Sequence, residues 1–139
     1  MDWSLICFII AIVVVGVLIF VAILITGKRT HHFDIEAYQT RFLAIENKFK
    51  KDNPATYAIS IINADKLLDK ALMEMGASGK TMGERLKKSG SHFTELDNVW
   101  RAHKLRNALA HDADFEVKYQ QTANALAIYK QALKDLGAI

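Results

Sequence analysis

Trp100 to Asp112 reads W-R-A-H-K-L-R-N-A-L-A-H-D, and no acidic residue falls between Asn98 and His111. At about 100° per residue, Leu96, Val99, Trp100, His103, Arg106, Asn107, Ala110 and His111 share one broad helical face. Trp100 and its aliphatic neighbours mark that face as packed. A packed face carries an imidazole, a guanidinium and an amide only when those groups find partners, because an unpaired buried polar group costs about 1–3 kcal/mol. The stretch is therefore either a buried polar network or a site.

The spacing Arg106-Asn107-x-x-x-His111 resembles the R-x4–6-H motif of HEPN domains, small helical bundles in which the motif lies between the last two long helices. A polar residue directly after the arginine is also a habit of that family. Arg-x4-His alone is a common pattern. It gains weight here because it closes one helix and a long amphipathic helix follows. The resemblance covers residues 55–136 and leaves the N-terminal third to be read from its residues.

That third is dominated by one apolar run. Residues 3–27 carry no charge, and only Ser4 and Gly16 interrupt Trp3 to Ile25. As a helix, 23 residues extend about 35 Å, enough to cross a hydrocarbon core of about 30 Å. A cleaved signal peptide would have a basic leader, a shorter apolar core and an A-x-A-like site, and none of these is present. The run reads as a single transmembrane anchor, residues 4–26, within an anchor segment 1–27. Asp2 precedes it, whereas Lys28, Arg29, His31 and His32 follow it. Basic residues favour the cytoplasmic side, so the expected topology puts the N-terminus outside and residues 28–139 in the cytoplasm. Cys7, the single cysteine, lies within the run and has no intrachain partner for a disulfide.

All 18 Lys and Arg residues follow the anchor, against 14 of the 15 acids, which leaves this part at +4. That is mildly basic, too little by itself to argue for nucleic acid, and equally suited to a neighbouring layer of phospholipid headgroups.

Downstream, the periodicity is helical throughout. Ile35, Tyr38, Phe42, Ile45 and Phe49 form the stripe of a first amphipathic helix in a juxtamembrane segment, 28–53. Asn53-Pro54 supplies an N-cap and a first-turn proline for a second helix that runs to Met75 and stops at Gly76. Thr81-x-x-Glu84 is a capping box for a short third helix, closed by Gly90 and Ser91. A fourth starts near Thr94 and ends near His111. Asp114 is the expected N-cap of a fifth, with the stripe Phe115, Tyr119, Thr122, Leu126, Tyr129, Leu133 and Leu136. The fold class is all-α: one N-terminal transmembrane helix followed by an antiparallel bundle of four main helices and one short one. Its HEPN-like core spans 54–139.

One residue breaks the second helix's pattern. Ala58, Ile61, Leu68, Leu72 and Met75 form its apolar stripe, and Asp65 projects from the middle of it, while Asn63, Lys66, Lys70 and Glu74 take the solvent side. A carboxylate there needs a cation or several donors. Arg106, His103 and His111 are the candidates, so the second and fourth helices should lie side by side. An inter-helix ion pair that fixes register and a catalytic carboxylate both fit.

Two other patterns carry less. Gly76-Ala-Ser-Gly79-Lys80-Thr81 looks like a phosphate loop, but Glu74 stands where the motif needs its first glycine, and a helix precedes it instead of a strand. His103 and His111 are two turns apart, about 12 Å along one helix, and no H-x3-H pair accompanies them. Neither a metal nor another cofactor is expected.

What the HEPN resemblance implies is metal-independent endoribonuclease chemistry at the interface of a homodimer. In such cleavage a base takes the proton of the ribose 2′-hydroxyl, which attacks the adjacent phosphate, and an acid protonates the leaving 5′-oxygen. Arg106 would then bind phosphate, Asn107 would orient, and His111 would do acid–base work, with His103 and Asp65 in support. An arginine fork suits the charged phosphorane and an imidazole suits proton transfer. The residues also allow a plainer reading, in which His111 bonds the last helix carbonyls and Arg106 simply pairs with Asp65. On that reading the domain is a non-catalytic adaptor that binds RNA or a protein at the membrane. A protein partner such as an antitoxin fits the resemblance, but no residue identifies one.

Overall fold

The structure, a computed structural model, describes residues 3–26, 32–112 and 114–139, all helices, turns and loops. The chain divides into two units, 1–30 and 31–139. The first contains helix α1, Trp3–Thr26. Its 20 residues from Trp3 to Ala22 have a mean hydropathy of 3.5, and their side chains are not packed in a core. One helix here is thus long and apolar enough to cross a membrane. Lys28, Arg29 and His31, which set the expected orientation, lie outside the described residues.

The second unit is the bundle: α2 (Ile35–Lys48), α3 (Ala55–Glu74), the short α4 (Met82–Lys88), α5 (Leu96–His111) and α6 (Tyr119–Asp135). A single 3-10 turn, Gly90–His92, joins α4 to the loop before α5. The four long helices are those the periodicity predicts. Their directions follow from pairs at their ends. Tyr38, early in α2, donates to Glu74 at the end of α3, so these two run antiparallel. Thr94, just before α5, bonds Asp135 at the end of α6, so that pair is antiparallel too. Tyr57 and Tyr119 meet near the starts of α3 and α6, which run parallel as the two central helices.

The core lies between α3 and α6. Ile61, Leu68, Leu72, Tyr129 and Leu133 are fully enclosed there, as is Leu86 on α4, each contributing on the order of 1.5–3 kcal/mol by leaving water. Phe42 seals the α2 side, with Lys130 lying over its ring and bonding Glu46.

Helix ends follow local chemistry. Gly76 and Gly137 both take positive φ, 82° and 74°. Each is followed by the paired back-bonds of a Schellman turn: Gly76 to Met73 with Ala77 to Leu72, and Gly137 to Lys134 with Ala138 to Leu133. Thr81 caps α4 through Glu84 N, and the Glu84 carboxylate reaches back to Lys80 N. The Gly76–Thr81 segment is thus a helix stop followed by a helix start, as its glycines and capping residues lead one to expect.

Three local expectations are corrected. Ile35 is exposed, and Phe33 takes its place in the core, edge-on to Tyr38. Asn53 does not cap α3 with its side chain; Thr56 Oγ1 instead accepts from Lys50 N and donates to Asn53 O. Asp114 does not start α6. The Asp112 carboxylate takes Asp114 N and its carbonyl takes Phe115 N, closing a turn outside any helix. The chain then runs without regular secondary structure to Lys118, whose N–H bonds the Gln121 side chain at the true start of α6.

Candidate functional site

Asp65 is the centre of the polar interior. Midway along α3 and 2% exposed, it would be a large penalty alone. Three groups from two other helices meet it. His103 Nδ1 of α5 lies 2.8 Å from Oδ1, the Tyr129 hydroxyl of α6 donates to the same oxygen at 3.0 Å, and Arg106 Nε of α5 lies 3.4 Å from Oδ2. The first two are hydrogen bonds; the third is an ion-pair contact outside hydrogen-bonding geometry, and it leaves Arg106 Nε buried without a bond. Burial and then the Asp65 charge push the Tyr129 hydroxyl far above its ordinary pKa, so it stays a donor. His103 and Arg106 reach one carboxylate together because residues three apart share a helix face.

Arg106 is only partly buried, its side chain 27% exposed. Nη1 bonds Asn107 Oδ1 at 3.1 Å, and its other terminal N–H groups have no hydrogen-bond partner among the described residues. Asp65, His103, Arg106 and Asn107 therefore form one connected group.

His111 does not join it. As the last residue of α5 it is exposed, and its side chain makes no hydrogen bond among the described residues, to the terminal carbonyls or otherwise. Ala110 is exposed as well. The expected packed face thus ends near Arg106, because over the last two turns Leu105 and Leu109 pack against the core instead.

A second charged group lies one turn along α3. Arg85 of α4, 8% exposed, grips Asp69 with Nε and Nη2, both at 2.7 Å, while Nη1 bonds Gly79 O at 2.7 Å. The Asp69 bonds hold the guanidinium above its ordinary pKa. Gly79 sits at φ 151°, and a Cβ there would lie 2.8 Å from Arg85 N, so this close approach requires glycine. Sequence reasoning missed this clamp. The available signal was Asp69 itself, four residues after Asp65 and so on the same face of α3.

Between α3, α4 and α5 these two groups wall a cleft of about 680 Å³. Trp100, Gly83 and Met82 provide its apolar surface, and the exposed Lys66, Lys80 and Lys104 rim it. Among the described residues no three His, Cys, Asp or Glu side chains are grouped to hold a metal ion. An anionic group is the ligand that such a cationic rim and a partly free guanidinium suit. No family model matches the chain, and no curated protein or solved structure is similar to it.

Proposed function

We propose that the protein is a membrane-tethered, HEPN-like endoribonuclease that needs no metal and works as a homodimer. The observation that carries this reading is the state of Arg106: fixed from behind by Asp65 and from the side by Asn107, with the rest of its fork unbonded among the described residues on a cationic cleft. Such a fork is arranged to meet a phosphate that enters from solvent. His111, exposed at the end of the same helix, is free to approach a substrate or a second copy of the chain. The mechanism that fits is attack by the 2′-hydroxyl on the adjacent phosphate, with histidine moving protons and Arg106 balancing the phosphorane charge. The test uses the full chain in detergent micelles, RNA and excess chelator. Cleavage is expected to persist, to spare DNA and to leave 2′,3′-cyclic phosphate ends; cleavage abolished by chelator would overturn the reading.

One observation favours a second reading. His111 has no orienting partner among the described residues, as a residue without a catalytic role also would not. A non-catalytic adaptor would bind RNA or a protein through the same cleft and leave RNA intact.

The proposal places α1 across the membrane with the bundle in the cytoplasm, from the charge asymmetry of Asp2 against Lys28 and Arg29. Protease added to intact cells is then expected to leave a C-terminal tag undigested. Loss of the tag would reverse the topology.

A further inference from the structure

We propose that His103, oriented by Asp65 in the cleft between α3, α4 and α5, is the general base of RNA cleavage, with His111 of a second copy as the acid. This rests on the ribonuclease reading and divides the work between the two histidines.

His103 is 7% exposed, and its two ring nitrogens have different surroundings. Nδ1 meets Asp65 Oδ1 at 2.8 Å. A carboxylate there draws the proton to Nδ1 and leaves the lone pair on Nε2. Nε2 has no hydrogen-bond partner among the described residues, and it faces the cleft wall at Gly83. A Cβ on Gly83 would lie in ordinary contact with both, 3.9 Å from Nε2 and 3.7 Å from the Trp100 ring, so this end of α4 borders the imidazole where it lines the cleft. The Trp100 ring stands edge-on to the imidazole, centroids 6.1 Å apart, and fixes its plane.

One carboxylate thus positions both a proton acceptor and a phosphate-binding fork. Oδ1 holds His103 and Oδ2 faces Arg106. His111 lies eight residues past His103, about 12 Å along the helix axis, too far to serve the same phosphate from the same chain. A second copy must bring the acid.

In the step, His103 Nε2 takes the proton of the 2′-hydroxyl as the O2′–P bond forms and the P–O5′ bond breaks. The departing 5′-oxygen takes a proton from the imidazolium of His111. The products are a 2′,3′-cyclic phosphate and a 5′-hydroxyl. Proton exchange with water resets both rings, and no other reactant is needed.

The experiment compares two dinucleotide substrates with the full chain in detergent micelles. In one, the bridging 5′ atom is oxygen; in the other it is sulfur, which leaves as a thiolate without protonation. The variants are His111→Ala and His103→Asn, whose amide N–H can replace Nδ1 toward Asp65. The parent is expected to cut both substrates. His111→Ala should fall by about 10²–10⁴-fold on the oxygen substrate and return close to the parent rate on sulfur. His103→Asn should remain impaired on both. If His103→Asn does not fold, Asp65→Asn serves instead, since loss of the carboxylate frees the Nδ1 proton to move to Nε2; it too should be slow on both. A base variant that cuts either substrate at the parental rate, or recovers on sulfur, overturns the assignment while the nuclease reading stands. A parent that cuts neither substrate removes both together.

Discussion

His111→Ala is expected to lower RNA cleavage by about 10²–10⁴-fold, the usual contribution of a positioned proton-transfer group, while leaving the fold intact. The structure makes these effects separable. His111 is exposed and makes no side-chain hydrogen bond among the described residues, so its removal should change stability by no more than about 0.5 kcal/mol. Thermal unfolding of the variant beside a cleavage time course is the measurement. Arg106→Lys is the companion test. A lysine ammonium is a point charge, so it cannot reach back to Asp65 and grip a phosphate with two parallel bonds at once. A loss comparable to that of His111→Ala is expected. Parental cleavage by both folded variants would assign any activity to a contaminant and leave the adaptor reading in its place.

Asp65→Ala is expected to destabilise the bundle by about 3–5 kcal/mol, the range for removing one partner of a buried charged pair. His103 Nδ1 and the Tyr129 hydroxyl lose their common hydrogen-bond partner, and Arg106 Nε loses its ion-pair contact. Arg106 recovers some hydration through its exposed edge, but the Tyr129 hydroxyl lies in a fully enclosed residue and does not. Asp65→Asn keeps an acceptor oxygen for one donor and should cost less. Chemical denaturation of the three chains checks the order parent, Asn, Ala. An Asp65→Ala chain as stable as the parent would mean that the network contributes nothing to holding α3, α5 and α6 together.

Much of this architecture was legible because burial imposes periodicity. The Tyr38–Phe42–Ile45 and Ile61–Leu68–Leu72 stripes are core faces, and a carboxylate in the second stripe demanded partners, two of which the His103–Arg106 face supplies. The start of α6 was not legible, because Asp114 and Asp112 are equally good at bonding backbone N–H groups and the turn at Asp112 competed successfully. The Arg85–Asp69 clamp was not legible, since the place of Asp69 one turn after Asp65 names no partner and only the fold brings α4 back over α3. Tyr129 read as an apolar stripe residue, which its ring is, while its hydroxyl donates to Asp65. The solvation of the last turn of α5 depends on what lies beside it, and that information is tertiary.

The central claim, RNA cleavage at a centre shared between two copies, is tested most directly by mixing two variants. His103→Asn and His111→Ala chains are co-expressed, purified together in detergent and assayed against each variant alone. Each alone should be nearly inactive. In mixed dimers one of the two symmetry-related centres keeps His103 from one chain and His111 from the other, so about a quarter of the parental rate should return. A mixture no more active than the two variants assayed separately would contradict a centre shared between copies.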